Sequence, residues 1–153
     1  MMRTRAHTDS IARPVAGHAL ENHLEAIFLA REIKHSRGAE TEHRNKPDFL
    51  FPSIEDYRDP SFAPSGLTML AAKSTLKDRW RQVLTEAARI DHKHLLTLEP
   101  AVSEQQTEQM KAENLQLVVP GPFHHTYTRD QQNWLMDFKS FIELTRIQEA
   151  RTT

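Results

Sequence analysis

Cysteine is absent from this chain of 153 residues, and so is any long apolar run. Without cysteine, the chain can form neither disulfide bonds nor thiolate metal sites. No apolar stretch approaches the roughly 18 residues of a membrane-spanning helix. The basic start, Met1 to Arg5, lacks the apolar segment of a signal peptide. The length suits one domain that buries a real core, and a cytoplasmic protein is the expectation.

Net positive charge is also lacking, since the formal net charge is −1. Most domains that bind nucleic acids are basic, so this balance argues mildly against DNA binding. The charge is unevenly distributed, however: residues 73–81 read KSTLKDRWR, with four cationic side chains and one acid. A nearly neutral protein can therefore present one strongly positive edge, which is what attracts phosphate groups.

The spacing of apolar residues predicts an alternation of helices and strands. Helices are predicted over residues 19–33, 75–89, 103–113 and 129–149, and strands over residues 49–51, 67–72, 94–98 and 115–119. Residues 53–66 are predicted to form a long loop. Residues 1–16 are predicted to be a flexible tail, which leaves 17–150 as the folded domain. This order is typical of an α/β fold in which helices flank both faces of a central mixed sheet.

Three ionisable residues stand out by their positions. Asp48 directly precedes a predicted strand, Lys73 closes another, and Glu86 lies in the predicted helix that follows. Two carboxylates can hold Mg²⁺, which prefers oxygen ligands, and a nearby lysine can offset charge on a phosphate. On the predicted helix, Glu86 shares a stripe with Arg79 and Gln82 at the rim of the apolar face. This pattern favours the site of a metal-dependent nuclease.

Each of these residues also has an ordinary structural interpretation. Asp48 follows a proline and suits a turn, Lys73 suits a solvated strand end, and Glu86 suits a surface ion pair. The nine histidines add a zinc alternative, but the pairs His92/His94 and His124/His125 do not specify the three or four ligands that zinc needs. Residue type and spacing alone therefore leave these interpretations open.

Longer stretches of the sequence resemble the EcoRII-like type II restriction endonucleases, in their C-terminal catalytic domain. The similarity is carried by KPDFLFPS at 46–53, AAKSTLKDRWRQVLTEA at 71–87, KHLLTLE at 93–99 and LVVP at 117–120. It covers about residues 16–142. This family belongs to the PD-(D/E)xK nuclease superfamily, in the variant whose second acid has moved from beside the lysine to the next helix. The resemblance implies a restriction-endonuclease-like fold.

The resemblance also implies an activity, namely Mg²⁺-dependent hydrolysis of double-stranded DNA that leaves 5′-phosphates. Asp48 and Glu86 would be the metal ligands, and Lys73 would lie at the phosphate. A palindromic target would require a homodimer. A companion cytosine methyltransferase is expected, because an active restriction enzyme endangers an unmethylated host.

Two weaker candidates for the catalytic site also come from the resemblance. Glu21, on the first helix, is suggested as an accessory acid, although Glu25, one helical turn on, competes with it. Tyr57 is suggested as a residue close to the site, although it also suits simple packing within its loop.

A DNA-reading segment is implied by Lys77, Asp78 and Arg79, with Arg81 added as a further DNA-binding residue. Arginine and lysine can bind guanine O6 and N7, and aspartate can bind cytosine N4. In similar enzymes the matching segment reads the G·C pairs of CCWGG or CCNGG sites. Trp80, between them, is predicted to belong to the core.

Some features depart from the family pattern. Ser74-Thr75-Leu76 stands where the family commonly shows Thr-Thr-Cys, and the segment before Gly17 fits poorly. The chain also has no room for the separate effector domain of EcoRII. A DNA-repair nuclease of the same fold and a catalytically decayed DNA-binding remnant are therefore alternatives. The block Lys77 to Arg79 favours restriction over repair, and the joint presence of both acids and the lysine argues against decay.

Overall fold

A five-stranded mixed sheet forms the centre of the computed structural model, which describes residues 18–77 and 79–152. The strands are β1 (Ser36–Arg37), β2 (Phe49–Phe51), β3 (Thr68–Lys73), β4 (Lys93–Thr97) and β5 (Leu115–Val118), and they lie side by side in this order. The pairs β1/β2 and β2/β3 are antiparallel, whereas β3/β4 and β4/β5 are parallel. The predicted tail, residues 1–16, lies outside the described residues, as does Asp78.

Helices cover the sheet on both sides. They are α1 (Ala19–Ala30), α2 (Ile54–Arg58), α3 (Glu104–Ala112), α4 (Arg129–Trp134) and α5 (Phe138–Thr152). Ser53 and Ser103 cap α2 and α3, because each side-chain oxygen accepts a backbone N–H three residues later. Within the described residues, no helix is both long and apolar enough to traverse a lipid bilayer.

The core is divided into two layers by the sheet, because successive strand residues point to opposite faces. One layer contains Met69 and Trp80, which are 0% and 2% exposed. The other contains Phe28 of α1, Phe49 of β2 and Phe141 of α5. There the rings of Phe28 and Phe49 are nearly perpendicular, with their centroids 5.1 Å apart, which is a favourable aromatic geometry. The predicted α/β class with helices on both faces is confirmed, as is a buried Trp80.

The helix predicted over residues 75–89 is wrong. Trp80–Thr85 forms a 3₁₀ helix, Glu86 is extended at φ −86° and ψ 149°, and Ala87 is left-handed at φ 51°. Trp80 and Val83 are buried three positions apart, a spacing that suits a 3₁₀ helix as well as an α-helix. Glu86 therefore reaches its position by a bend in the chain rather than by a helical stripe.

Other element boundaries also differ from the prediction. The last predicted helix is broken between α4 and α5, because the backbone of Met136 leaves the helix and forms hydrogen bonds beside β5. Its N–H donates to the carbonyl of Leu117, and its carbonyl accepts the N–H of Val119. The first helix ends at Ala30 rather than at residue 33, since Glu32 adopts a left-handed φ of 56°. The predicted loop 53–66 contains α2, and the two-residue strand β1 was not predicted.

His94 is a buried histidine on β4, only 5% exposed. Its ring packs edge-on against Phe141 at 5.3 Å, and its Nδ1 has no hydrogen-bond partner among the described residues. Burial, together with the charge of the neighbouring His92, lowers the pKa of His94 to about 3. His94 is therefore neutral in the folded protein.

We predict that His94→Leu makes stability less dependent on pH. The unfolded histidine binds a proton near pH 6.5 and the buried one only near pH 3, so stability is lost as the pH falls between these values. Between about pH 7.5 and pH 5, the wild type should lose about 2 kcal/mol more of its free energy of unfolding than the variant. Urea unfolding at both pH values measures this. Exposed His125, changed to leucine, is the control, and equal pH dependence in all three proteins would refute the prediction.

Candidate active site

Asp48 and Lys73 lie at the same edge of the sheet. Asp48 directly precedes β2, Lys73 is the last residue of β3, and the antiparallel register pairs Phe49 with Leu70. A hydrogen bond holds the side chain of Asp48 in place, because its Oδ2 accepts the backbone N–H of Ala72 at 2.7 Å. The pairing of two adjacent strands therefore brings an acid and a lysine together.

Glu86 joins this pair from the segment after the 3₁₀ helix. Burial, together with the negative charge of Asp48, raises the pKa of Glu86 to about 7, although the charges of Lys73 and Lys93 oppose the shift. Its Oε1 is buried and has no hydrogen-bond partner among the described residues. The two acids and the lysine are thus electrostatically coupled in one site.

The pKa of Asp48 is also raised, mainly by burial, and further by the charge of Glu21. The Ala72 N–H and the charges of Lys73 and Arg37 lower it, without cancelling the rise. Carboxylates placed together in a half-buried site disfavour full ionisation. Such a site favours the binding of an added positive charge.

An open cleft of about 610 Å³ lies over this edge of the sheet. Its lining includes Asp48, Lys73 and Glu21, together with Arg79 and Gln82. Glu21 reaches the cleft from the first turn of α1. Asp48, Lys73 and Glu21, which were predicted from widely separated parts of the sequence, therefore face one space.

The two competing acids of α1 differ in their surroundings. Glu25 accepts hydrogen bonds from His35 at 2.9 Å and from Arg37 at 3.0 Å, and these bonds lower its pKa. Glu21 lines the cleft and is near enough to Asp48 to raise its pKa. The geometry places Glu21, rather than Glu25, at the site.

Neither Tyr57 nor Glu86 is among the described residues that line the cleft. Tyr57 is 3% exposed, and its hydroxyl donates to Glu42 Oε1 at 2.6 Å. The Tyr57 hydroxyl oxygen in turn accepts the backbone N–H of Arg89 at 3.1 Å. Tyr57 therefore contacts the segment that carries Glu86 rather than the open cleft.

The predicted DNA-reading residues divide into two groups. Arg79 is exposed and lines the cleft, and Lys77 is exposed on a left-handed turn with φ 46°. This turn is anchored, because Glu99 Oε1 accepts the N–H of Leu76 at 2.6 Å. Arg81 instead bonds Gln109 on α3 and stacks over the ring of Trp80 at 4.5 Å. Asp78 lies outside the described residues.

The residues present fit a small, hard divalent cation. Asp48 and Glu86 provide carboxylate oxygens, and the buried Oε1 of Glu86 lacks any other partner among the described residues. Mg²⁺ is commonly bound through one or two carboxylates while it keeps several waters. Within residues 18–77 and 79–152, no group of three or more histidine, aspartate or glutamate side chains is arranged to hold a metal. This part of the chain therefore offers no zinc site of the usual kind.

Sequence reasoning missed two residues that shape the site. His23 lines the cleft beside Glu21, and the charge of Arg37 acts on Asp48. Nothing in the local sequence marks them, since their approach depends on the fold of distant segments.

The fold defines the class as restriction-endonuclease-like. Two solved structures of Ecl18kI share the fold, one described as metal-depleted with uncleaved, modified DNA and the other as metal-depleted with uncleaved DNA. Their TM-scores are 0.78 and 0.76, each at 20% identity, and the match covers 95% of this chain and 50% of each Ecl18kI chain.

The chain belongs to the family described as EcoRII C terminal, whose profile matches residues 7–142. It is 46% identical over 132 residues to the type II restriction enzyme EcoRII from Escherichia coli. That match covers 85% of this chain and 33% of EcoRII, so the chain spans about a third of the length of this relative. The family predicted from the sequence is confirmed.

We predict that Glu86→Gln stabilises the metal-free protein at high pH. The unfolded carboxyl ionises near pH 4.5 and the folded one near pH 7, so the wild type loses stability as the pH rises through this window. After allowance for partial exposure, the gain at pH 8 should be roughly 1–2 kcal/mol, or a few degrees in melting temperature.

Thermal unfolding in EDTA at pH 5 and pH 8 measures the effect, with exposed Glu113→Gln as the control. The advantage of Glu86→Gln should be small at pH 5 and full at pH 8. A lower melting temperature for Glu86→Gln at pH 8 would show that the acid is stabilised by partners in the metal-free protein.

Proposed function

We propose that this chain is the catalytic core of a Mg²⁺-dependent, sequence-specific double-strand DNA endonuclease of the type II restriction class. The observation that carries the proposal is the buried, unpartnered Oε1 of Glu86, coupled to Asp48 and Lys73. A buried carboxylate oxygen without a partner is unfavourable unless a ligand satisfies it. Membership of the EcoRII C-terminal family supports the same activity.

The proposed reaction is hydrolysis of a phosphodiester bond. Water attacks the phosphorus, the bond to the 3′ oxygen breaks, and the products are a 3′-hydroxyl and a 5′-phosphate. Asp48 and Glu86 would hold Mg²⁺, which when bound supplies Lewis-acid stabilisation of charge on the phosphate. Lys73 offsets the charge that develops in the transition state and orients the attacking water. Glu21, at the wall of the cleft, is the accessory acid.

Sequence recognition is proposed for the turn after β3. Arg79 and Lys77 are exposed next to the catalytic cleft, and Asp78 lies between them in the sequence. Such side chains can read the G·C pairs of a CCWGG or CCNGG site through the major groove. Arg81 bonds Gln109, so we assign it a weaker part in DNA binding, through its charge.

The partners follow from this activity. Double-stranded DNA is the substrate. A two-fold symmetric target cut on both strands calls for a homodimer. A cytosine methyltransferase of the same specificity would protect the host DNA.

The metal ligands are tested by Asp48→Ala. This change should abolish plasmid cleavage in Mg²⁺, because a single carboxylate holds the ion too weakly, while DNA affinity in EDTA should persist or rise as a negative charge is removed. Cleavage and gel-shift assays on the same preparations measure both properties. Exposed Asp91→Ala is the control and should cut normally. Wild-type cleavage by Asp48→Ala would refute the metal assignment.

The reading segment is tested by Arg79→Ala. Loss of a bidentate contact to guanine should weaken binding to the cognate duplex by about 1–3 kcal/mol and leave binding to random DNA almost unchanged. Competition binding at fixed salt measures the ratio, with exposed Arg151→Ala on α5 as the control. Equal losses on both duplexes would show that Arg79 contacts only phosphate.

A further inference from the structure

The segment that carries Glu86 is held by side chains rather than by a regular helix. The 3₁₀ helix ends at Thr85, Glu86 is extended, and Ala87 is left-handed with φ 51°. A left-handed conformation is uncommon for a residue other than glycine, and it persists only where the surroundings enforce it. Ala87 is also fully buried. Neighbouring groups must therefore fix this bend.

Three side chains from outside the segment bond its backbone on both sides of Glu86. Asn45 Nδ2 donates to the carbonyl of Thr85 at 2.9 Å. On the other side, Glu42 Oε1 accepts the N–H of Ala88 at 3.4 Å, and the Tyr57 hydroxyl oxygen accepts the N–H of Arg89 at 3.1 Å. Glu86 is thus bracketed by bonds to the residue before it and to the second and third residues after it.

The anchoring side chains are also tied to one another. The Tyr57 hydroxyl donates to Glu42 Oε1 at 2.6 Å, so one carboxylate oxygen serves both Tyr57 and Ala88. The guanidinium of Arg89 donates to the carbonyls of Phe62 at 2.5 Å and of Tyr57. These bonds join the bend at Ala87 to the loop after α2.

We propose that Glu42, Asn45 and Tyr57 are positioning residues that hold the Glu86 carboxylate toward Asp48 and thereby set the metal affinity of the site. This inference rests on the proposed role of Glu86 as a metal ligand. Groups that orient a metal ligand often change metal affinity or activity by about 10–100-fold when they are removed.

The hydroxyl of Tyr57 is already occupied, which distinguishes this role from direct catalysis. It donates to Glu42 and accepts from the backbone N–H of Arg89. Burial raises the pKa of Tyr57 to about 12, so the phenol keeps its proton at neutral pH. Tyr57 acts through the backbone beyond Glu86 rather than on the phosphate.

The test is the affinity of the whole chain for Mn²⁺ alone, followed by the electron paramagnetic resonance signal of the free ion. Tyr57→Phe and Asn45→Ala should each weaken Mn²⁺ binding about tenfold. Tyr127→Phe is the matched control, because this buried tyrosine also donates a hydroxyl hydrogen bond, in its case to the backbone carbonyl of Glu99. It should lose comparable stability and keep the wild-type Mn²⁺ affinity. Asn45→Ala keeps the test decisive if Tyr57→Phe folds poorly.

A pair of variants at Glu42 separates orientation from general destabilisation. Glu42→Gln keeps an acceptor for Ala88 and Tyr57 and should retain most of the affinity, whereas Glu42→Ala should lose it. Mn²⁺ binding by Tyr57→Phe and Asn45→Ala equal to that of Tyr127→Phe would overturn the proposal. So would a Tyr57→Phe enzyme that cleaves slowly at saturating metal with unchanged Mn²⁺ affinity, since that marks a catalytic role.

The variant Glu86→Gln distinguishes failure of the positioning role from failure of the proposed function. If Glu86→Gln binds Mn²⁺ as tightly as the wild type, or if the wild type binds none, the metal site itself is wrong, and the positioning role falls with it. If Glu86→Gln loses affinity while Tyr57→Phe and Asn45→Ala do not, only the positioning role is wrong.

Discussion

The burial of two neighbouring carboxylates at one sheet edge is the constraint on which the rest of this structure depends. Burial raises the pKa of both Asp48 and Glu86, and repulsion adds to each rise, from Glu21 at Asp48 and from Asp48 at Glu86. An arrangement that favoured stability alone would separate these carboxylates or give each of them a cationic partner. Lys73 and Lys93 compensate only in part, because the pKa of Glu86 remains near 7. The site is therefore preorganised for a positive charge that a cation would supply.

Different kinds of structure hold the two acids. Asp48 is fixed by strand pairing and by the N–H of Ala72, both of which follow from the register of β2 with β3. Glu86 lies on a bent segment with a left-handed residue next to it, and hydrogen bonds from distant side chains maintain the bend. Apolar layers on both faces of the sheet stabilise the fold that carries this unfavourable arrangement.

Much of this arrangement could be predicted from the sequence, because it depends on the pattern of residues within short stretches of the chain. The buried strands β2 and β3 are short, mostly apolar runs bounded by polar or turn residues, and the positions of the acid before β2 and of the lysine ending β3 follow from those runs. The path to Glu86 could not be predicted. Residues 80–87 have apolar spacing that fits an α-helix, yet the bonds from Asn45, Glu42 and Tyr57 draw the backbone out of the helix. Their partners lie between 32 and 46 residues away in the chain, so no local pattern reveals them.

The position of a bound metal ion tests the account most directly. A crystal of the chain soaked in Mn²⁺, with anomalous scattering recorded at the manganese edge, would locate the ion without reference to activity. We predict an anomalous peak between the carboxylates of Asp48 and Glu86, with Lys73 beside it and no ligand from Tyr57. A peak bound elsewhere, for example at His92 and His94, or an ion that contacts Asp48 while Glu86 points away, would contradict it.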